Sequence, residues 1–351
     1  MRILVTGHHG YLGSVFLPLA AAAGHELVGL DSDLFERCTF GGEPAAGSWR
    51  DVRRDLRDVG RGDLEAFDAV VHFAALSNDP LGDLDPELTY QINLEASIRF
   101  ARLAREAGVE RFVFSSSCSN YGASGDALLD ESSELRPLTP YAISKVKLEE
   151  ELLKLADERF SPVLMRNATA YGASPRLRLD LALNNLVGYG LTTGKIVLLS
   201  DGTPWRPIVH AEDISSAALA VLAAPRAKVH ARAFNVVPEG ENYRIRELAE
   251  IVAENLPGCA VTLSEGAAPD ARNYRVSGAR LLDALPGFRY GWNARRGARQ
   301  LVDAYRAAGM TRAEFEGPRF KRLAWLQHLL AAGELGSDLR WRAPAPALAS
   351  A

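Results

Sequence analysis

The stretch "LVTGHHGYLGS", residues 4–14, places Gly7, Gly10 and Gly13 at intervals of three. The apolar run before it is typical of a buried strand and the residues from Tyr11 onward are helix-like, so the glycines occupy a strand-to-helix turn. There the first glycine permits a tight bend, the second lets the backbone approach a pyrophosphate, and the third lets the helix pack closely. The stretch therefore predicts a dinucleotide site at a helix N-terminus.

The residue that ends the second predicted strand indicates which dinucleotide is bound. In "VGLDSD", Asp31 stands where a carboxylate accepts from both ribose hydroxyls of NAD and repels the 2′-phosphate of NADP. The sequence therefore favours NAD as the cofactor. His8 and His9 are adjacent, so we expect them to line the loop, with one of the two open to contact with phosphate, and we expect no metal site.

Apolar runs alternate with amphipathic segments through the first half of the chain. The expected buried strands are "RILVT", "ELVGL", "AVVHFAA", "RFVFSSS" and "PVLMRN", with helices over about 11–23, 85–107 and 140–159. This alternation predicts an α/β fold: a Rossmann-type doubly wound parallel sheet with a smaller α/β substrate-binding lobe. Its active crevice is expected at the carboxyl ends of the strands.

The composition changes after residue 172, where turn residues and arginine become frequent. We predict a dinucleotide-binding domain over 1–172, to which about 207–238 returns, and a substrate lobe over 173–206 and 239–310. Residues 311–351 are expected to form a helical C-terminal extension, in which "RFKRLAWLQHLL" has helical periodicity, followed by a disordered Pro/Ala-rich tail.

Charge and cysteine content exclude several classes of function. The 351 residues carry a net charge of -4, which gives no reason to expect a nucleic-acid or membrane partner. The three scattered cysteines suggest neither disulfides nor zinc, and no signal peptide or long apolar span is evident. A reducing cytoplasm is the expected compartment.

Two residues at the start of a predicted helix carry the candidate chemistry. In "PYAISKVKLEEELL", Tyr141 and Lys145 are four apart and share one helix face. A nearby ammonium and a cationic nicotinamide stabilise a phenolate, which then removes a hydroxyl proton as hydride leaves. A third hydroxyl is expected at the end of "RFVFSSSCSNYG", where three serines compete.

These motifs together resemble the extended short-chain dehydrogenase/reductases, in the nucleotide-sugar epimerase/dehydratase branch of UDP-galactose 4-epimerase type. The resemblance covers about residues 2–306 and rests on an ordered set: "TGHHGYLG", "DL" at 55–56, "HFAA", "INLEAS", "SSSCSNYG", Tyr141-x-x-x-Lys145, "NNL" and "DGTPWRPIVHAED". It implies a nucleoside-diphosphate sugar as substrate and a homodimer through the helices at 85–107 and 140–159.

The resemblance also implies a role for each matching residue. The catalytic set is Ser117, with Ser116 beside it, Tyr141 and Lys145. The residues implied to bind the cofactor are Gly7, Gly10, Tyr11, Leu12, Gly13, Asp31, Asp55, Leu56, Phe73, Ala74, Ala75, Asn93, Ser115, Tyr141 and Lys145. Those implied to contact substrate are Ser117, Cys118, Ser119, Thr169, Asn185, Arg206, and Asp270 or Arg272.

The departures from the family pattern bear on the reaction. Nucleotide-sugar 4,6-dehydratases carry an Asp-Glu pair after the catalytic hydroxyl, and hexuronate decarboxylases keep the glutamate, but this chain has Cys118 and Ser119 there. Dehydration and decarboxylation are therefore disfavoured. Thr169 replaces a usual asparagine, for which Asn167 is a candidate substitute. Cys118 is expected to be either an acid/base or a small buried residue behind the site.

Three functions stay open on the sequence alone. The first is an NAD-dependent epimerase acting at C4 through a 4-keto sugar. The second is a 4-ketoreductase or oxidoreductase that exchanges NAD(P) at every turnover. The third is a non-catalytic NAD-binding sensor, which the presence of Ser117, Tyr141 and Lys145 disfavours.

Overall fold

The computed structural model describes residues 1–42, 47–77, 85–264 and 273–342. Two predicted substrate contacts, Asp270 and Arg272, and almost all of the expected disordered tail lie outside these ranges. None of the helices within the ranges is both long and apolar enough to cross a membrane.

A seven-stranded parallel sheet forms the centre of the fold, in the order β11-β7-β5-β4-β1-β2-β3. This order confirms the predicted Rossmann-type sheet. Its strands are β1 (Arg2–Thr6), β2 (Glu26–Asp31), β3 (Arg50–Arg53), β4 (Ala69–His72), β5 (Arg111–Ser117), β7 (Ser161–Asn167) and β11 (Arg232–Val236).

Helices cover both faces of the sheet, which is why most residues of its central strands are buried and apolar. Along β1, Ile3 and Val5 pack in one cluster with the first helix, whereas Leu4 packs on the opposite face. The twelve helices described are α1 (Gly13–Ala22), α2 (Pro86–Tyr90), α3 (Ser97–Glu106), α4 (Pro140–Leu155), α5 (Ala182–Thr193), α6 (Ala211–Ala223), α7 (Arg226–Val229), α8 (Ile245–Glu254), α9 (Ala279–Ala284), α10 (Ala294–Ala307), α11 (Arg312–Glu316) and α12 (Arg322–Ala331).

Two predicted helices differ in detail from the structure. The helix expected at 85–107 is interrupted by a π-helical turn over Gln91–Ala96, between α2 and α3. The helix expected to reach 159 ends at Leu155, because Ala156 is extended and the Asp157 carboxylate accepts from the Arg159 and Phe160 amides. That turn starts the return of the chain to β7.

Smaller sheets and helices build a second unit beside the carboxyl ends of the large sheet. The remaining strands are β6 (Leu128–Leu129), β8 (Thr169–Tyr171), β9 (Lys195–Leu198), β10 (Trp205–His210), β12 (Asn242–Arg244), β13 (Ala260–Leu263) and β14 (Arg275–Val276). They pair as β12-β10-β8, β13-β9 and β14-β6. Helices α5, α8 and α10 share one apolar cluster with β9. The exact domain boundaries stay a prediction.

The C-terminal segment, residues 311–342, packs on the loop that follows β2. Its apolar side chains join those of that loop, of the loop after β4 and of α2 in one buried cluster comprising Leu34, Cys38, Leu76, Leu88, Trp325, Leu326, Leu329, Leu335 and Leu339. The segment closes on itself with an antiparallel bridge between Leu335 and Trp341. It is therefore a packed part of the fold.

Candidate active site

A cavity of about 820 Å³ lies at the carboxyl ends of the parallel strands. Its volume falls within the roughly 300–1,000 Å³ typical of small-molecule sites. Predicted cofactor residues that line it are Gly7, Gly10, Tyr11, Leu12, Asp31, Asp55, Leu56, Phe73, Ala74, Ala75, Ser115, Tyr141 and Lys145. Predicted substrate residues that line it are Ser117, Ser119, Thr169, Asn185 and Arg206.

The glycine turn packs against the loop after β4. Gly7 has a φ of +71°, and a Cβ there would lie 2.7 Å from the Ala74 amide nitrogen. Gly13 does not line the cavity, and a Cβ on it would lie 2.3 Å from the Gly7 carbonyl oxygen. Gly7 and Gly13 are thus required for close backbone packing, and α1 begins beside the cavity.

Asp31 is oriented by two backbone amides. Its Oδ2 accepts from the His9 amide at 3.0 Å and its Oδ1 from the Asp33 amide at 2.9 Å. A carboxylate has about four lone-pair sites, so two remain for the hydroxyls of a ribose. Burial raises the pKa of Asp31, and the coulombic interaction with His8 opposes this rise.

The two histidines of the glycine turn face away from the cavity and bind neighbouring carboxylates. His8 Nε2 lies 2.9 Å from Asp51 Oδ1, and His9 Nδ1 lies 2.7 Å from Asp33 Oδ1. His8, His9 and Asp51 form a group whose ligand atoms lie within 4.8 Å of one another. These atoms already make hydrogen bonds that hold the turn against β2 and β3.

Asn93 lies outside the lining of the cavity and binds Leu76, which is a lining residue. It is 2% exposed and does not line the cavity. Its side chain accepts from the Leu76 amide at 2.8 Å and donates to the Leu76 carbonyl at 3.0 Å. Asn93 therefore holds the loop after β4, and its expected contact with the cofactor stays an untested prediction.

Tyr141 and Lys145 face the cavity from the first turns of α4. The Thr139 hydroxyl caps this helix by accepting from the Ala142 amide, and Pro140 occupies its first position. The Lys145 ammonium donates to the Ser115 carbonyl at 2.7 Å, which fixes its side chain. Burial lowers the pKa of Lys145 to about 7, and Glu149 acts in the opposite direction.

The three competing serines of β5 have different partners. Ser115 Oγ accepts from Asn167, and Ser116 Oγ donates at 2.5 Å to the buried Glu149 carboxylate. Ser117 Oγ accepts from both the amide and the hydroxyl of Ser119, at 3.1 and 2.9 Å. The hydroxyl hydrogen of Ser117 is therefore left to donate to an oxygen in the cavity.

Cys118 lies behind the cavity wall. It is fully buried, does not line the cavity, and its thiol donates to the Arg166 carbonyl at 3.1 Å. Burial raises the pKa of this thiol well above its usual range. The 3-10 turn over Cys118–Tyr121 directs this side chain into the core, and the expected substrate contact by Cys118 stays an untested prediction.

The cavity is also lined by Arg178 and Asp180, which the sequence did not single out, and by Asn167, the candidate substitute for the asparagine that Thr169 replaces. Arg178 pairs with Asp180 through two contacts of 3.0 and 3.1 Å and donates to the Ser77 hydroxyl. Asn167 donates to Ser115, while its Oδ1 is buried and has no hydrogen-bond partner. The sequence "RLRLD" at 176–180 lies in the arginine-rich region after residue 172. Its composition does not indicate which of these side chains face the cavity.

The fold and this cavity together define the class: an extended short-chain dehydrogenase/reductase. The model of the NAD dependent epimerase/dehydratase family matches residues 3–237, and the chain belongs to this family. NAD is therefore the cofactor. The glycine turn, the Asp31 carboxylate and the unpartnered Asn167 Oδ1 fit a large polar ligand of this kind.

Individual relatives include both epimerases and a dehydratase. A UDP-glucose 4-epimerase of Streptomyces lividans is 36% identical over 154 residues, covering 42% of this chain and 45% of that relative. A UDP-glucose 4-epimerase of Bacillus subtilis (strain 168) is 28% identical over 339 residues, covering 87% of this chain and 96% of the relative. Among solved structures, TunA is an NAD dependent NDP-hexosamine 5,6-dehydratase involved in tunicamycin biosynthesis. It is similar to this chain with a TM-score of 0.77 and 23% sequence identity, and the match covers 87% of this chain and 98% of TunA. This last likeness concerns the fold.

Proposed function

We propose that this protein is a nucleotide-sugar epimerase that inverts C4 through a transient 4-keto sugar. The observation that carries the proposal is that Ser117, Tyr141 and Lys145 line one cavity with the glycine turn. The UDP-glucose 4-epimerases among its relatives support the substrate class.

The roles of the three residues follow from their surroundings. Tyr141 begins as a phenolate that the Lys145 ammonium stabilises; it takes the proton of the sugar C4 hydroxyl, and the resulting phenol later returns that proton. Ser117 donates its free hydroxyl hydrogen to the same sugar oxygen. NAD supplies the acceptor and donor of hydride when it is bound. Arg206 and Asn185 line the part of the cavity that we assign to the nucleoside diphosphate.

The carboxylates that line the cavity all have partners within the protein, which disfavours water elimination because that reaction needs an acid and a base. Among the described lining residues these are Asp31, Asp55 and Asp180. Asp31 is bound by two backbone amides, Asp55 by Arg57, and Asp180 by Arg178. The positions after Ser117 offer a buried thiol and the Ser119 hydroxyl instead of an acid and a base, so the chain has no equivalent there of the dehydratase pair.

The experiment is a panel of UDP-, dTDP-, GDP- and CDP-sugars incubated with the full chain and analysed by NMR. Epimerisation gives an isomer of unchanged mass with hydrogen retained at C4 in D₂O, and consumes no NAD(P)H. A product lighter by one water identifies a dehydratase, and stoichiometric NAD(P)H consumption identifies a ketoreductase. Either of these results overturns the proposal.

Tyr141→Phe serves as the active-site variant in the same assay. We expect its turnover to fall at least about 100-fold, because proton transfer by a positioned group contributes on that order. Tyr90→Phe is the matched control, since Tyr90 lies on α2 outside the lining of the cavity and stacks with Lys147. Full activity of Tyr141→Phe would contradict the assigned chemistry.

The homodimer and the cytoplasmic location stay predictions. For the dimer we propose the surface formed by α2, α3 and α4, which correspond to the helices expected at 85–107 and 140–159. Light scattering on the purified chain measures the mass directly, and a monomer at micromolar concentration would contradict this proposal.

A further inference from the structure

The C-terminal segment holds the loop that forms the adenosine end of the cavity. The Trp325 indole donates to the Leu34 carbonyl at 2.9 Å, and the Trp341 indole donates to the Ser32 carbonyl at 2.8 Å. Ser32 and Leu34 both line the cavity, directly after the carboxylate of Asp31. Residues more than 290 positions away in sequence thus fix this wall.

The same segment also contributes directly to the lining of the cavity, through Arg322 and Leu339. Arg322 is the first residue of α12 and only 2% of its surface is exposed. One guanidinium nitrogen, Nη2, donates to the Arg176 carbonyl at 2.9 Å, and the guanidinium carbon lies 4.3 Å from the centroid of the Phe35 ring.

The other terminal nitrogen of Arg322 has no partner. Nη1 is buried and makes no hydrogen bond, and no ion pair joins Arg322 to a carboxylate in the described part of the chain. Burial, with the charge of Arg178, lowers the pKa of Arg322 to about 10, while Asp180 acts in the opposite direction. A buried cation without an ion pair of its own is costly, so this position favours an anion from outside the chain.

The surroundings of Arg322 indicate which anion this is. Arg178 and Asp180 interact electrostatically with it, and all three interact with Tyr11 of the glycine turn. Two guanidinium groups against one carboxylate leave a positive balance beside the turn at which α1 begins. A diphosphate at that helix N-terminus is the anion that completes the arrangement.

We propose that Arg322 binds the diphosphate of the dinucleotide, and that residues 322–341 are a structural part of the cofactor site. The observation behind it is an unpartnered, buried guanidinium nitrogen on a residue that lines the cavity. The proposal concerns the binding of NAD and is independent of the reaction proposed above, so each can fail without the other.

The test measures ligand affinity by calorimetry on the full chain after residual dinucleotide has been removed. Arg322→Met removes the charge and keeps the apolar stem, and Arg322→Gln also keeps a donor for the Arg176 carbonyl. The matched control is Arg312→Met, because Arg312 is exposed, lies in the same segment and pairs only with Glu316. The ligands are NAD, ADP-ribose, adenosine and UDP.

We expect both Arg322 variants to bind NAD and ADP-ribose about ten-fold more weakly or worse, because a hydrogen bond to a charged group contributes on that order. Adenosine, which has no phosphate, should bind them as it binds the unaltered chain, and Arg312→Met should bind every ligand normally. The amount of NAD that copurifies should fall in parallel.

Three outcomes overturn the proposal. They are unchanged NAD affinity in a folded variant, equal weakening for adenosine and NAD, and weakening confined to UDP, which would assign Arg322 to the other nucleotide. Circular dichroism establishes folding for each variant. If Arg322→Met does not fold, Arg322→Gln decides the question, since it removes the charge and keeps a polar amide at this position.

Discussion

Lys145 lies one turn after Tyr141 on α4, and its ammonium is 5.7 Å from the centroid of the Tyr141 ring. The same ammonium is 4.6 Å from the centroid of the Phe114 ring. Its bond to the Ser115 carbonyl ties it to the end of β5. Helix and strand are thereby linked at the point where the phenol faces the cavity. The ammonium is thus placed where it can stabilise negative charge on the phenol, as the proposed proton transfer requires.

Replacing this amine tests that role. We expect Lys145→Met to lower turnover at neutral pH by at least about 100-fold, because removal of the cation destabilises the phenolate that the proposed proton transfer requires. Activity should recover in part as the pH is raised. A pH profile of turnover from 6 to 10 measures this.

The control for that profile is Lys147→Met, since Lys147 is exposed on the same helix and stacks on Tyr90. It should leave the profile unchanged. A uniform loss of activity by Lys145→Met across the whole pH range would show that the lysine positions ligands without tuning the phenol.

For Cys118 we expect that substitution leaves activity almost unchanged. Because its thiol is buried, bound to the Arg166 carbonyl and absent from the cavity wall, we expect Cys118→Ala to keep turnover within about three-fold of the unaltered chain. The lost packing should cost on the order of 1 kcal/mol of unfolding free energy. A 100-fold loss of turnover with normal NAD affinity would restore the cysteine as an acid/base.

His72 makes stability depend on pH. It is 1% exposed, bonds to the Thr6 and Ser97 hydroxyls, and burial lowers its pKa to about 3. The unfolded chain binds a proton at this residue below about pH 6.5 whereas the folded chain does not, so stability falls as the pH drops through that value. The expected loss from this site is up to about 3 kcal/mol between pH 6.5 and 4.5.

Urea unfolding of the full chain at several pH values measures that loss. In His72→Asn the dependence between pH 4.5 and 6.5 should be flatter, whatever the variant's stability at pH 7. His328→Gln is the control, because His328 is exposed on α12. An identical slope for His72→Asn and the unaltered chain would contradict the prediction.

The parallel sheet was predictable because local pattern and tertiary environment agree. The glycine spacing at 7, 10 and 13 fits a close strand-to-helix turn, and β4 and β7 are buried along their whole length, so most of their residues are apolar. The position of Asp31 was predictable as well, because this residue ends β2, and β2 pairs with β1, the strand that leads into the glycine turn.

Other parts of the site depend on relations that no local pattern contains. Arg178 and Arg322 lie far apart in sequence, and each looks like an ordinary surface arginine until the fold buries it. The direction of Cys118 depends on one 3-10 turn, and Asn93 points to Leu76 from within a π-helical turn. A shift of one residue in either turn would exchange the inward and outward side chains.

Residues from distant parts of the sequence meet at this pocket. The glycine turn lies within residues 4–14, but the indoles that hold Ser32 and Leu34 belong to positions 341 and 325. During synthesis this wall of the pocket therefore cannot be completed until residue 341 has been made. A chain that stops early carries the recognisable opening motif and still lacks the surface that encloses its ligand.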